Sequence, residues 1–85
     1  MPTPLSERPA TDRFARQTTE TYRGHKITVR KGREWGTLHV LINGHTLGHP
    51  YGRTNADALR ELRYLRSYVD DAIARPDAYD FTPDR

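Results

Sequence analysis

The chain contains no cysteine and only one tryptophan and one methionine. Without cysteine it can form no disulfide framework, no thiolate zinc site and no cysteine nucleophile. Large apolar residues are also scarce, since Leu, Ile, Val and Phe supply 15 of the 85 residues. A fraction this low is close to that of intrinsically disordered chains. Such chains also carry a high net charge, however, and the net charge here is only +3. We therefore expect one small folded domain with unfolded ends and no room for a deep substrate pocket.

Long apolar segments are absent as well. No run approaches the roughly 18 residues of a membrane span, and residues 1–10 lack the apolar centre of a signal peptide. We expect a soluble, cytoplasmic protein that has no membrane partner. Arginine outnumbers lysine twelve to two, a bias typical of GC-rich genomes, which favours a small bacterial or phage protein.

The composition predicts three segments. Residues 1–20 are rich in proline and threonine and their charges cancel, so we expect a flexible N-terminal segment. Residues 21–75 hold twelve of the fifteen large apolar residues and should form the domain. Residues 76–85 form an acidic C-terminal tail, in which Tyr79 and Phe81 could cover a basic surface of the domain.

Hydrophobic alternation in the middle segment predicts three short strands. Ile27 and Val29 alternate with polar residues in a first strand from about residue 22 to 30. A second strand from about 35 to 42 leads into Asn43-Gly44, which favours a type I′ hairpin and a short third strand at 45–47. This turn places Val40 opposite Leu47. A two-residue turn within Lys31–Glu34 would place Arg30 opposite Trp35, whereas a bulged three-residue turn would give another register.

A long amphipathic helix follows the strands. Thr54 is the predicted N-cap, with Asp57 in a capping-box position, and Pro76 ends the helix. Apolar residues recur at helical spacing at Ala58, Leu62, Leu65, Val69 and Ala72. The predicted fold class is α+β, with a three-stranded antiparallel β-meander packed against one long C-terminal α-helix (βββα).

The sheet face opposite the helix is predicted to be open and basic. Residues 21–53 carry six basic residues against Glu34 alone, whereas 54–75 are neutral overall. By the register above, the open face carries Lys26, Thr28, Arg30, Trp35, Thr37, His39, Leu41 and Thr46.

A basic sheet that bears tryptophan is typical of nucleic-acid binding, since basic residues neutralise phosphates and tryptophan stacks. The candidate nucleic-acid-binding residues are Arg23, Lys26, Arg30, Arg33, Trp35 and His39. Two alternatives stay open. Arg30 could cover Trp35 in a cation–π contact on an ordinary solvated face, or a protein partner could dock on Trp35 and Leu41.

The order of short motifs resembles two DNA-binding families. The motifs are Tyr22-Arg23-Gly24, Trp35-Gly36, Leu47-Gly48, and Thr54 leading into Ala56, Ala58 and Leu59. They resemble the DNA-binding domain of plant ethylene-response transcription factors and the N-terminal arm-binding domain of some phage and transposon integrases. The resemblance implies double-stranded DNA as partner, a sheet in the major groove, and Arg23, Lys26, Arg30 and Trp35 as contacts.

Metal and catalytic sites are not predicted. Strand alternation directs His45 and His49 towards the helix and His39 towards the open face, and no carboxylate is near in sequence. Asp70 and Asp71 are adjacent and so point about 100° apart on a helix, which excludes a facing acid–base pair. We expect a non-enzymatic protein that needs no cofactor.

A second hypothesis is a protein-interaction adaptor of phage or mobile-element origin. Tyr64 and Tyr68 share one flank of the predicted helix, where they either widen the core or form a partner surface. The sheet is thin and its edges are exposed, so a homodimer through the helix or a strand edge is also plausible.

Overall fold

In residues 4–14 and 16–78, which the computed structural model describes, the chain forms four strands and one long helix. The elements are β1 (Gln17–Tyr22), β2 (His25–Lys31), β3 (Leu38–Ile42), β4 (His45–Gly48) and α1 (Asn55–Ala74), with short 3-10 turns at Leu5–Glu7 and Pro76–Ala78. The strands form one antiparallel sheet in the order β1-β2-β3-β4, and α1 packs across β2 and β3. The predicted α+β class with a long C-terminal helix is confirmed, with four strands instead of three.

The additional strand, β1, lies mostly in the segment predicted as a flexible lead-in. It joins β2 through a two-residue turn in which Arg23 and Gly24 have φ of 50° and 83°, the type I′ pattern. The polar residues of β1 that face the helix are held by it. Glu20 forms an ion pair with Arg66 at 2.7 Å, and the Tyr22 hydroxyl donates to Asp70 at 2.9 Å. The predicted boundary at residue 21 therefore falls inside a strand.

Residues 4–14 pack over the start of α1. Leu5 and Phe14 are buried in the core, and the carbonyl oxygens of Ala10 and Asp12 accept hydrogen bonds from the N–H groups of Ala56 and Asn55. Those N–H groups belong to the first turn of the helix, where no intrahelical acceptor exists. The N-terminal segment thus covers one side of the core and also supplies hydrogen-bond acceptors for the N–H groups at the start of the helix.

The predicted pairing between the second and third of the four strands is wrong by four residues. Arg30 pairs with His39, not with Trp35, and Ile27 pairs with Ile42. Residues 32–37 form a longer loop, closed by a 2.9 Å hydrogen bond from the Gly32 N–H to the Thr37 carbonyl. Because the shift is an even number of residues, each side chain in these two strands keeps its predicted face.

A β-bulge in β4 changes the face of the residues that follow it. Leu41 pairs with Thr46, but Val40 pairs with Gly48 instead of the predicted Leu47. The extra residue reverses the alternation, so His49 lies on the open face, where its ring stacks on His39 with centroids 4.6 Å apart. The prediction that His49 points towards the helix is therefore wrong.

The start of α1 and the Asn43-Gly44 turn agree with prediction. Thr54 is the N-cap, and its side chain and that of Asp57 form a reciprocal capping box. Asn43 and Gly44 have φ of 52° and 84°, as a type I′ turn requires. The helix ends at Ala74, two residues before Pro76.

The core lies between the sheet and α1. Its buried side chains are Leu5, Phe14, Ile27, Val29, Leu38, Val40, Ile42, Ala58, Leu62, Leu65, Val69 and Ala72. Within the part of the chain that the structure describes, no helix has the length and apolar character to cross a membrane. Tyr79 and Phe81, proposed above as a cover for the basic face, lie outside the described residues.

Candidate functional site

The two ends of the sheet differ in construction, and the predicted binding residues divide between them. The tight turns at 23–24 and 43–44 lie together at one end, joined by hydrogen bonds between Asn43 and Lys26. The loop 32–37 and the segment 49–54 lie at the other, joined by a 2.8 Å bond from the Gly52 N–H to the Gly36 carbonyl. Of the six predicted nucleic-acid-binding residues, the tight-turn end holds Arg23 and Lys26, and the loop end holds Arg30, Arg33, Trp35 and His39.

Five basic residues gather at the loop end, and we call this group the basic end. They are Arg13, Arg30, Lys31, Arg33 and Arg53, and all are exposed. One depression is lined by Arg13, Lys31 and Arg53, and a neighbouring groove by Arg30, Lys31 and Arg33. Lys31 lines both, so the positive charge is continuous around the end of the sheet.

The basic end differs in its ion pairing from the helix side of the molecule, where several basic residues pair with carboxylates. Among residues 4–14 and 16–78, no carboxylate forms an ion pair with any of the five side chains. The ion pairs elsewhere are Arg23–Asp70, Arg60–Asp57, Arg60–Glu61, Arg66–Glu20 and Arg75–Asp71. Glu34 lines the same groove as Arg30, Lys31 and Arg33, so it offsets part of the positive charge of the basic end, which stays positive overall.

Arg23 takes part in one of these pairs. Its guanidinium donates to Asp70 at 2.8 Å, and Asp70 also accepts from the Tyr22 hydroxyl. Both hydrogen bonds favour the charged carboxylate and lower the pKa of Asp70. Arg23 therefore fastens the first hairpin to the helix, away from the basic end.

Trp35 lies in the loop 32–37 and not in a strand. Its side chain is 68% exposed, and the guanidinium of Arg53 lies 3.7 Å from the ring centroid. A cation–π contact was one of the interpretations of the sequence, but with Arg30 as the cation. The longer loop carries Trp35 away from Arg30 and places it against the segment that precedes α1.

Two glycines allow the close approach of these segments. Gly36 has φ of +78°, and a Cβ there would lie 3.3 Å from Arg53 Nε. A Cβ on Gly52 would lie 2.7 Å from Leu38 Cδ1 and 2.9 Å from Asp57 Cβ. Larger residues at either position would displace Arg53 or the start of the helix, and with them the Trp35 contact.

Tyr51 belongs to the same surface, although no pattern in the sequence predicts this. It is 84% exposed and lines a depression together with Trp35 and Arg53. Its carbonyl oxygen accepts from Arg60 Nη2 at 3.1 Å, which fixes the local backbone. The bulge in β4 determines which side chains of segment 49–54 lie on the open side of the sheet. A bulge of that kind has no reliable signature in a single sequence, which explains why Tyr51 is not predicted.

His39 connects the basic end to the open face. Arg30 Nε donates to His39 Nδ1 at 3.2 Å, so the ring carries its proton on Nε2, which then donates to Thr46 Oγ1 at 2.8 Å. Partial burial and the nearby charges of Arg30 and His49 lower the pKa of His39. The neutral ring therefore holds Arg30 in place on the open face.

The predicted partner-binding residues differ in how much surface they present. Leu41 is only 7% exposed and lies between Thr28 and Thr46, so it offers little docking area. Tyr64 is 52% exposed, while Tyr68 packs partly against the core and meets Tyr64 edge to face at a centroid distance of 6.1 Å. Trp35 and Tyr64 are the partner candidates that remain accessible.

Comparison of the chain with protein-family models, curated proteins and solved structures finds no match. The resemblance to the ethylene-response and integrase domains stays a prediction.

Proposed function

We propose that the protein is a small non-enzymatic module that binds double-stranded DNA through the basic end and the adjoining open sheet face. The observation that carries this proposal is the segregation of charge. Five exposed basic side chains gather at one end without an ion-pair partner among the described residues, while the described helix-side carboxylates hold other basic residues. Such a cluster repels itself unless an anionic ligand neutralises it.

The shape of the open face supports contact with a duplex. Arg30 projects from this face and Arg33 from the neighbouring loop. Three threonines also lie on this face, Thr19 and Thr28 on the adjacent strands β1 and β2 and Thr46 on β4. These side chains are short and uncharged, so a phosphate backbone or the edge of a groove could approach closely. A β-ribbon fits the major groove of B-DNA, where arginine recognises guanine.

Fluorescence anisotropy with a labelled duplex at several salt concentrations tests the proposal. Since each basic residue that contacts a phosphate releases condensed counterions, affinity should fall steeply as salt rises. Lys31→Ala and Arg33→Ala should each weaken binding and reduce the salt slope by about one contact. Arg63→Ala is the matched control, because Arg63 is also exposed but lies on the helix.

The Arg63→Ala control distinguishes binding at the basic end from non-specific electrostatic attraction between the protein and DNA. A loss in Arg63→Ala equal to that in Lys31→Ala would mean that net charge alone drives binding. Absence of binding at low salt would reject the proposal.

A protein-interaction adaptor is the second candidate, and the exposure of Trp35, Tyr51 and Tyr64 favours it. Exposed aromatic residues are common in protein interfaces. Sedimentation of the purified protein over a range of concentrations tests self-association. If dimers form, Tyr64→Ala should dissociate them when the helix is the interface, and a monomer at all concentrations would count against the homodimer.

A further inference from the structure

We infer that Trp35 stacks on an unpaired nucleobase, so that the preferred ligand is DNA with a single-stranded overhang or junction. This inference rests on the proposed function and specifies the ligand at the same site. It follows from the contact between Trp35 and Arg53, the position of Tyr51, and the charges around them.

One face of the Trp35 ring is occupied and the other is available. The guanidinium of Arg53 lies over the ring at 3.7 Å from its centroid. Since the side chain is nevertheless 68% exposed, its accessible area lies mainly on the opposite face and the outer edge. An indole held by a cation on one face and open on the other is a suitable platform for a flat ligand.

A second aromatic ring lies beside this platform. Tyr51 is even more exposed than Trp35 and lines the same depression, together with Arg53 and the capping residue Asp57. Single-stranded nucleic acid is commonly bound by successive aromatic side chains within a basic groove. Lys31 and Arg13 line the depression next to Trp35 and could neutralise the phosphates on either side of a stacked base.

A base inside a duplex cannot use this platform, because both of its faces already stack on neighbouring base pairs. A base in an overhang, at a junction or flipped out of the helix offers a free face. If Trp35 served only groove binding, its ring would contact the sugar–phosphate backbone and would gain nothing from an unpaired base. The two modes therefore predict different preferences among DNA ends.

Trp35 is the only tryptophan of the chain, so its fluorescence reports directly on the site. Three probes should be titrated at the same salt concentration: a blunt duplex, the same duplex with a short overhang, and the overhang strand alone. Binding is followed by anisotropy and stacking by quenching of the Trp35 emission. We expect the overhang duplex to bind more tightly than the blunt duplex, with strong quenching by the overhang duplex and the single strand.

The two readouts separate this inference from the proposed function. Equal binding of blunt and overhang duplexes, with no added quenching by the overhang, would overturn the inference while DNA binding stands. Failure of all three probes to change the anisotropy would overturn both.

Variants of Trp35 test the stacking itself. Trp35→Ala should lose the preference for the overhang, roughly a tenfold effect for one stacked base, while Trp35→Phe should keep part of it. Tyr64→Ala, an exposed aromatic on the helix, is the control and should keep the full preference. An unchanged preference in Trp35→Ala, in a sample whose thermal unfolding matches the wild type, would contradict the stacking role.

Discussion

The backbone N–H of Phe14 donates to the carbonyl oxygen of Arg53 at 2.6 Å. This bond joins the N-terminal segment to the residue whose guanidinium lies over Trp35. The Phe14 side chain is in turn only 3% exposed. The core and the candidate binding surface therefore meet at Phe14, and the segment 4–14 supports both.

Replacement of Phe14 should destabilise the whole domain. Phe14→Ala removes a buried ring and leaves a cavity, which typically costs about 3–5 kcal/mol. In a domain of this size, that is a large share of the free energy of unfolding. Urea denaturation followed by circular dichroism measures the loss. Thr11→Ala, at an exposed position of the same segment, should change stability by less than about 0.5 kcal/mol, and equal effects would show that the segment is not packed as described.

Two glycines in the β3–β4 hairpin should respond in opposite directions. Gly44 has φ of +84°, so Gly44→Ala should destabilise the fold by about 1–2 kcal/mol. Gly48 is not in the left-handed region and has open space around its Cα. Gly48→Ala should be neutral or stabilise by up to about 1 kcal/mol, because alanine lowers the entropy of the unfolded chain. Thermal unfolding of both variants checks the hairpin and its register, and a destabilised Gly48→Ala would contradict the bulge geometry.

Removal of the Asp57 side chain should weaken the start of α1. Asp57 Oδ2 accepts from the N–H groups of Arg53 and Thr54, and these bonds lower the pKa of Asp57. Because the pKa is lowered in the folded protein, the stabilising effect is present at neutral pH. It begins to fall below about pH 4, where the unfolded chain takes up a proton that the folded carboxylate resists, and it is lost once the folded carboxylate is protonated as well. Asp57→Ala should cost about 1 kcal/mol at neutral pH. In urea unfolding, the difference from wild type should shrink on acidification, and a constant difference would reject the capping role.

His39 should make the fold less stable in mild acid. The pKa of His39 is lowered in the folded protein, while in the unfolded chain it is about 6.5. As the pH falls below about 6.5, the unfolded chain therefore binds a proton that the folded state resists, and the free energy of unfolding decreases. His39→Gln should reduce this decrease between about pH 7.5 and 5.5 in urea titrations. An unchanged decrease in His39→Gln would contradict this role of His39.

Local signals in the sequence predict part of this structure well. The Asn43-Gly44 turn, the Thr54 and Asp57 capping box and the helical apolar spacing each depend on residues close together in the chain. The assignment of faces in β2 and β3 is also correct, although the loop between them is longer than predicted. An even error in register preserves the alternation of side chains.

Other parts depend on distant contacts and were missed. The strand β1 has few apolar residues, and its helix-facing Glu20 is held by Arg66, 46 positions away. The Arg23-Gly24 turn lacks the Asn-Gly signal, and Arg23 adopts a positive φ while its side chain is tied to Asp70. At the basic end, charge and residue type predict Arg30, Arg33 and Trp35, whereas folding brings Arg13, Arg53 and Tyr51 to the same surface from distant parts of the chain.

Because of the bulge, the number of residues in β4 determines which side chains lie on the open face. Leu41 and Val40 are consecutive in β3, but their partners Thr46 and Gly48 are two residues apart in β4. Because of this extra residue, side chains in the segment leading to α1 alternate between the two sheet faces in the opposite order to those at the start of β4. Deletion of a single residue there would restore regular alternation and turn His49 and the neighbouring backbone towards the opposite side. In evolution, an insertion or deletion of one codon at this point could therefore exchange the side chains of the surface while leaving the core, the helix and the net charge almost unchanged.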